Sequence, residues 1–248
     1  MKKNMNDAID WLKKQKLKGA ITGSCMLDYF EGSDVDWFAY DEKSFTQMFY
    51  AMYYDKMFTM LDPIERWKAN KFMENNDKRP FGILTLKFMW NTCLPVNIIL
   101  KKGCTNVFDI ISSFDMDIVC KAYDTNTQQL LDLTNNSTQT KTADWNRWNT
   151  AFYDPEIWEM SRILRQFDRI VKYHKRGYNT DNVALKYIEL IDNIQEYQNI
   201  FNSDNFTEKL KITKENTKIM KQILEKWLES HEISDEELEL VKIKLKDI

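Results

Sequence analysis

Four residues near the N-terminus have the types and the spacing of a cation site. Asp34 and Asp36 stand two positions apart in an apolar run, and nine residues separate them from Gly23-Ser24. Side chains at i and i+2 of a strand point to the same face, so the two carboxylates would lie one pleat apart. Like charges at that separation are unfavourable unless cations lie between them. Mg²⁺ or Mn²⁺ is the expected ion, because Mg²⁺ needs few carboxylates and completes its coordination with water and phosphates.

The first half of the chain alternates between short helices and strands, which indicates a mixed α/β domain. Residues 34–40 place both aspartates on one side and Val35, Trp37 and Ala39 on the other, so they form a strand with acids at its start. The strands over 81–88 and 96–100 are expected to pair antiparallel across a short turn. Helices are predicted over 6–16, 26–30, 43–61, 64–74 and 107–113, and strands over 20–22, 34–40, 81–88, 96–100 and 117–123.

From about residue 145 the pattern changes to long amphipathic helices. The most polar connector in the chain covers residues 135–142, so we expect a domain boundary near it. The predicted fold is therefore α+β, with a small mixed β-sheet domain over residues 1–140 and an all-helical domain over residues 141–248. The long helices are predicted over 156–175, 181–201, 213–228 and 234–246.

Composition excludes several classes of protein. The chain has 248 residues, 43% of them hydrophobic, which is enough for a substantial core. A net charge of -3 argues against a surface that is basic throughout, so nucleic acid would contact a local patch. The four cysteines form no C-x-x-C pair and lie far from both histidines, which makes a zinc site improbable. Without a signal-peptide pattern or a membrane-length apolar run, we expect a cytoplasmic protein with reduced thiols and no membrane partner.

The helix predicted over 156–175 carries a local excess of positive charge that only Asp168 offsets. Spacings of three and four residues put most of the cations on one broad face. Two interpretations remain open. The face is either a solvated surface of long side chains, or a surface for triphosphate or nucleic-acid phosphates, with Arg169, Lys172, Lys175 and Arg176 as the nucleotide-binding residues. The full set is Arg162, Arg165, Arg169, Lys172, Lys175 and Arg176.

The order of elements around the acid pair resembles a known family. Thr22-Gly23-Ser24, followed by the stretch 33–38, is similar to the opening of the nucleotidyltransferase fold of the DNA polymerase β superfamily. Three later stretches resemble nucleotidyltransferase-like proteins of phages and large DNA viruses, which would act in the host cytoplasm. These stretches are residues 96–100, 114–120 and 169–178.

The resemblance implies a reaction and a set of roles. Asp34 and Asp36 would bind two divalent metal ions that bridge to a nucleoside triphosphate, and Gly23 and Ser24 would hold its β and γ phosphates. A helical domain would close over the nucleotide. An acceptor hydroxyl, most simply the 3′ end of an RNA, would attack the α-phosphate and release pyrophosphate.

Members of this family also carry a third carboxylate on a neighbouring strand, and here the chain departs from the pattern. The first strand to examine, 96–100, offers Asn97, whose neutral amide is a weak Mg²⁺ ligand and cannot act as a base. The alternatives are Asp117, at the start of the next predicted strand, and Asp115 two residues before it. We prefer Asp117 as the third catalytic and metal-binding residue.

Three functions are consistent with these features. The first is the transferase acting on RNA or on a small-molecule hydroxyl. The second is a nucleotide-binding or nucleic-acid-binding protein with weak or no activity, which Asn97 favours. The third is a transferase that modifies a protein hydroxyl, which the basic helix argues against because a protein acceptor needs no phosphate-binding surface. The sequence identifies neither the base of the nucleotide nor the oligomeric state.

Overall fold

Strands between residues 19 and 132 form a seven-stranded sheet in a computed structural model that describes residues 2–27, 32–60, 63–74, 83–149 and 160–192. The helices are α1 (Lys2–Gln15), α2 (Glu42–Tyr54), α3 (Pro63–Glu74), α4 (Val107–Ser112), α5 (Ser137–Thr140), α6 (Met160–Lys175) and α7 (Asp181–Asp192). The strands are β1 (Gly19–Thr22), β2 (Val35–Ala39), β3 (Phe58–Met60), β4 (Ile83–Trp90), β5 (Leu94–Lys101), β6 (Lys121–Asp124) and β7 (Gln129–Asp132). Two short 3-10 turns cover Gly23–Met26 and Asp117–Val119.

The strand order is β3-β4-β5-β2-β1-β6-β7, and every neighbouring pair is antiparallel except β2 and β5, which run parallel. The sheet is therefore mixed, as predicted, and the expected antiparallel pairing of β4 with β5 is confirmed. The parallel pair sets Asp36 beside Asn97, because both residues lie in the first half of their strands. This register, which brings two distant segments together, positions the candidate site.

The larger hydrophobic core lies on one face of the sheet, under α1, α2 and α3. The alternation predicted for residues 34–40 is confirmed, since Val35, Trp37 and Ala39 all belong to this core. Trp37 is fully buried, and its indole N–H donates to Thr125 Oγ1 at 3.1 Å. The helices contribute Met5, Ala8 and Leu12 from α1, Phe45, Met48, Phe49 and Met52 from α2, and Ala69 from α3.

A smaller core covers the opposite face, where α4 packs. Phe38 and Ile99, which follow Asp36 and Asn97 by two residues on their strands, belong to it. Since residues two apart share a face, Asp36 and Asn97 point to the α4 side of the sheet. The other buried members are Ala20, Cys104, Ile110, Ile111, Cys120 and Ala122.

The helix predicted over 43–61 is too long, because the chain leaves α2 after Tyr54 and forms β3. Asp55 stops the helix: one carboxylate oxygen accepts the backbone N–H of Met57 at 2.8 Å. The other accepts the indole N–H of Trp11 at 2.9 Å. The apolar run continues into β3 because Phe58 packs edge-on against Trp11, with ring centroids 4.7 Å apart. The helical spacing of apolar residues cannot reveal a contact between residues so far apart in the sequence.

The strand predicted over 117–123 is also corrected. The chain makes a 3-10 turn at Asp117–Val119 and enters β6 only at Lys121, so Asp117 does not lie on a strand. Strand β7 was missed altogether. The short helix predicted over 26–30 is a 3-10 turn at Gly23–Met26, and residues 28–31 lie outside the described part of the chain.

The chain divides into two compact units. The first comprises Met1–Phe114 and Ile118–Asn135, and the second comprises Asp115–Asp117 and Asn136–Ile248. The second unit contains α5, α6 and α7. The helices predicted over 213–228 and 234–246 lie outside the described residues, so an all-helical second domain stays a prediction. None of the helices within the described ranges combines the length and the apolarity needed to cross a bilayer.

Candidate functional site

Asp34 and Asp36 converge on one side chain from the neighbouring strand. The amide nitrogen of Asn97 donates to Asp34 Oδ2 at 2.9 Å and to Asp36 Oδ1 at 2.7 Å. Each carboxylate thus has one oxygen within hydrogen-bond distance of the same nitrogen. Both carboxylates are also partly exposed. The prediction that the two acids share a face is confirmed. The amide takes the place between two like charges that a cation is expected to occupy.

Asn97 itself is only 6% exposed, and it retains an unused acceptor. Among the described residues, its Oδ1 has no hydrogen-bond partner. A buried carbonyl oxygen left in this state costs about 1–3 kcal/mol. The orientation of the Asn97 amide is assigned from its hydrogen bonds. If the nitrogen and the oxygen were exchanged, Oδ1 would face two carboxylate oxygens and be repelled by them.

The turn at Gly23 lies directly against Asp36. The backbone of Gly23 has φ +85°, a left-handed conformation that favours glycine. A Cβ added to Gly23 would stand 3.0 Å from Asp36 Oδ2. The predicted association of the Gly23-Ser24 turn with the acid pair is thus seen in the structure, and Ser24 is buried within the 3-10 turn that follows.

Cys25 is buried in the 3-10 turn beside the acid pair. Burial raises the pKa of its thiol, and the negative charges of Asp36 and Asp34 raise it further. The thiol donates to the carbonyl oxygen of Thr22 at 3.2 Å. Cys25 therefore stays protonated near neutral pH and is neither a metal ligand nor a nucleophile in this state.

Sequence reasoning missed Lys87. Lys87 on β4 lies opposite Asn97 on β5. Asn97 lies beside Asp36 on β2, and Asp36 lies opposite Thr22 on β1. Residues directly opposite on paired strands share a face, so the exposed Lys87 stands in the same row as the acids. The signal that could have found it is the hairpin turn at residues 91–93, because the turn sets the register of β4 against β5.

The structure places Asp115 and Asp117 in the second unit, where each carboxylate accepts hydrogen bonds. The carboxylate of Asp117 accepts the backbone N–H of Asp144 at 2.9 Å. Asp115 is buried and accepts two hydrogen bonds from the guanidinium of Arg169, at 2.5 and 2.8 Å. Within the described ranges, no three His, Cys, Asp or Glu side chains are grouped as ligands of a metal ion. The assignment of Asp117 as a third metal-binding carboxylate therefore stays a prediction.

Three cations, two on α6 and Arg176 directly after it, lie near the buried ring of Tyr173. The guanidinium groups of Arg169 and Arg176 lie 5.7 and 5.6 Å from the ring centroid of Tyr173, and the ammonium of Lys172 lies 6.0 Å from it. These three cations form one patch, as their spacing predicted, and Lys175 is exposed. The side chains of Arg162 and Arg165 lie outside the described residues. Binding of a nucleotide by this patch stays a prediction.

The donor set beside Gly23 suits a hard divalent cation. It offers two carboxylates, each with an oxygen that converges on the Asn97 amide. Mg²⁺ is held in proteins by one or two carboxylates together with water and substrate phosphates, so these residues fit the predicted ion.

No family model matches the chain, and no curated protein matches it. Among solved structures, the chain is similar to a tRNA-processing enzyme determined with CTP, with 14% sequence identity and a TM-score of 0.39. The match covers 87% of this chain and 56% of the other, so the chain spans little more than half the length of that structure. A likeness at this level establishes neither a family nor an activity.

Proposed function

We propose that this protein is a metal-dependent nucleotidyltransferase. It transfers a nucleoside monophosphate from a nucleoside triphosphate to an acceptor hydroxyl, most simply the 3′ end of an RNA, and releases pyrophosphate. The observation that supports this function is the convergence of Asp34 and Asp36 on Asn97, with the Gly23 turn against Asp36. The resemblance of these same residues to the opening of a nucleotidyltransferase fold adds the substrate class.

In this proposal the chain binds and orients the triphosphate. Asp34 and Asp36 would hold Mg²⁺ or Mn²⁺, and the bound ion would lower the pKa of the acceptor hydroxyl and neutralise charge on the phosphates. The Gly23 turn lets the phosphates approach the backbone without a side chain in the way. Lys87 adds a positive charge in the same row of the sheet and is assigned here as a contact of the triphosphate.

The test is transfer of label from a triphosphate to pooled RNA in the presence of Mg²⁺ or Mn²⁺. Asp34→Ala should reduce incorporation at least about 100-fold, because removing a charged group at such a site costs several kcal/mol of transition-state stabilisation. Asp7→Ala, which changes an exposed aspartate on α1, is the matched control and should retain activity. Transfer that survives Asp34→Ala contradicts the proposal. Label that enters protein and not RNA identifies the protein-modifying alternative.

A second candidate is a nucleotide-binding protein that does not turn its ligand over. Asn97 favours it, because the residue beside the acid pair is an amide that cannot act as a general base. This candidate predicts binding of a triphosphate with Mg²⁺ in calorimetry and no release of pyrophosphate with any acceptor. Release of pyrophosphate that Asp34→Ala abolishes would exclude it.

A further inference from the structure

We infer that Asn97 is a two-state ligand of the cation site. Without metal its amide nitrogen holds Asp34 and Asp36 together, and with metal the amide turns over so that Oδ1 becomes the third protein ligand. The inference rests on the proposed metal site, which it extends by assigning the residue that replaces a third acid.

The metal-free orientation is determined by charge. Two carboxylate oxygens lie within hydrogen-bond distance of the amide nitrogen, one from Asp34 and one from Asp36. Each N–H of the amide can satisfy one of them, and both bonds are charge-assisted. An amide oxygen in that position would be repelled by both carboxylates, so only the nitrogen can face the acids while no cation is present.

A divalent cation reverses this preference. Once the two carboxylates coordinate a metal, the amide N–H groups would face positive charge, whereas Oδ1 is a hard oxygen ligand of the kind that Mg²⁺ accepts. In the described part of the chain Oδ1 has no hydrogen bond to lose, although Asn97 is buried. Turning the amide therefore gives up two hydrogen bonds to acids that have found a new partner, and it satisfies an oxygen that had none. The N–H groups then take the buried position of Oδ1, and the new bond between the metal ion and Oδ1 must offset the cost of burying them.

The change needs no repacking. The oxygen and the nitrogen of an amide are nearly the same size, so a half turn about the last side-chain bond leaves the shape of Asn97 unchanged. The backbone of β5 cannot follow, because this strand is paired on both sides, with β4 and with β2. The movement is thus confined to one side-chain amide within a rigid sheet.

The direct test observes this amide in the wild-type protein. In ¹⁵N-labelled protein, the side-chain NH₂ signals of Asn97 are identified as those absent from Asn97→Ala, or by sequential assignment if that variant does not fold. Addition of Mg²⁺ with a non-hydrolysable triphosphate should shift both NH₂ protons upfield, because their hydrogen bonds to the carboxylates are lost. NH₂ signals that stay in place while the nucleotide and the ion bind would overturn the inference.

The second test compares Mn²⁺ affinities by electron paramagnetic resonance, with unfolding temperatures measured in parallel. Asn97→Ala should weaken Mn²⁺ binding roughly tenfold or more, and Asn97→Asp should strengthen it by a similar factor, since a charged oxygen ligand replaces a neutral one. Affinities of both variants within about threefold of wild type would show that Asn97 is not a ligand. Loss of affinity in Asp117→Asn but not in Asn97→Ala would overturn the inference in favour of Asp117.

Different results would refute the proposed metal-dependent function and the proposed role of Asn97. If the wild-type protein binds no Mn²⁺ with or without a triphosphate, the proposed function fails and the inference fails with it. If wild type binds and Asp34→Ala does not, but the Asn97 variants match wild type, the metal site stands and only the role of Asn97 is refuted.

Discussion

Substitution of Gly23 by alanine isolates the contact between the turn and the acid pair. Gly23 has φ +85°, and a Cβ there would stand 3.0 Å from Asp36 Oδ2. Gly103 offers a matched control in the same compact unit, because its φ is +82° and a Cβ there would meet nothing within 4 Å. The two alanines thus impose the same backbone conformation, and only one of them presses on a proposed metal ligand.

The two substitutions should have the same effect on stability but different effects on Mn²⁺ affinity. A left-handed backbone costs an L-residue roughly 1–2 kcal/mol, so Gly23→Ala and Gly103→Ala should both lower the free energy of unfolding by about that amount. At Gly23 the Asp36 carboxylate must also move by a few tenths of an ångström. Mg²⁺ binds at about 2.0–2.1 Å with near-ideal octahedral geometry, so a displacement of that size disturbs coordination. We expect Gly23→Ala to weaken Mn²⁺ affinity about tenfold, or about 1.4 kcal/mol.

The two assays are urea denaturation for stability and Mn²⁺ titration by electron paramagnetic resonance for the site. The expected pattern is equal loss of stability in both variants and loss of cation affinity in Gly23→Ala alone. Equal Mn²⁺ affinities would show that Asp36 does not coordinate from the position that the Gly23 turn imposes. A larger loss of affinity in Gly103→Ala would show that general destabilisation, and not this contact, controls binding.

Three further substitutions test other parts of the structure. Lys87→Met should raise the KM for the triphosphate several-fold with little change in kcat, and an unchanged KM would remove Lys87 from the site. Arg169→Met should lower the free energy of unfolding by about 1–3 kcal/mol, because the buried Asp115 carboxylate loses both guanidinium hydrogen bonds and keeps only the backbone N–H of Met116 among those described; denaturation measures this. The Thr105 backbone N–H holds the pKa of Asp109 below its usual range. Asp109→Asn should therefore reduce the melting temperature at pH 7, and the difference should vanish as acid titrates the folded carboxylate below about pH 4.

The acid-bearing strand was predictable, because its alternation is a local property. Val35, Trp37 and Ala39 had to face a core, and this placed Asp34 and Asp36 together on the other side. The strand over 96–100 is also the first place where the sequence predicts the third group, and the structure does place Asn97 beside the acids.

The partners across the sheet were not predictable to the same degree. Lys87 lies in the same row of the sheet as the acids only through the register of β4 on β5, and a shift of one residue would have turned it to the other face. Asp117 was assigned to a strand because Ile118, Cys120 and Ala122 alternate with polar residues. In the structure a 3-10 turn, and not a strand, buries Ile118. The Asp117 carboxylate accepts a hydrogen bond from the backbone N–H of Asp144. An alternating pattern cannot distinguish these two ways of burying the same side chains.

The presence of an asparagine among the acids determines how the site can be filled. A third carboxylate at this position would face two like charges, and at about 4 Å with an effective dielectric constant of about 20 each repulsion is about 4 kcal/mol. Together these are comparable with the whole stability of a typical domain, about 5–15 kcal/mol, so such a site would need a cation or a proton to fold. With Asn97 the amide donates to both carboxylates, so we expect the protein to fold without a metal ion. Because the amide is also the weaker ligand, we expect the cation to bind more tightly when a triphosphate is present, since phosphate oxygens add the missing donors.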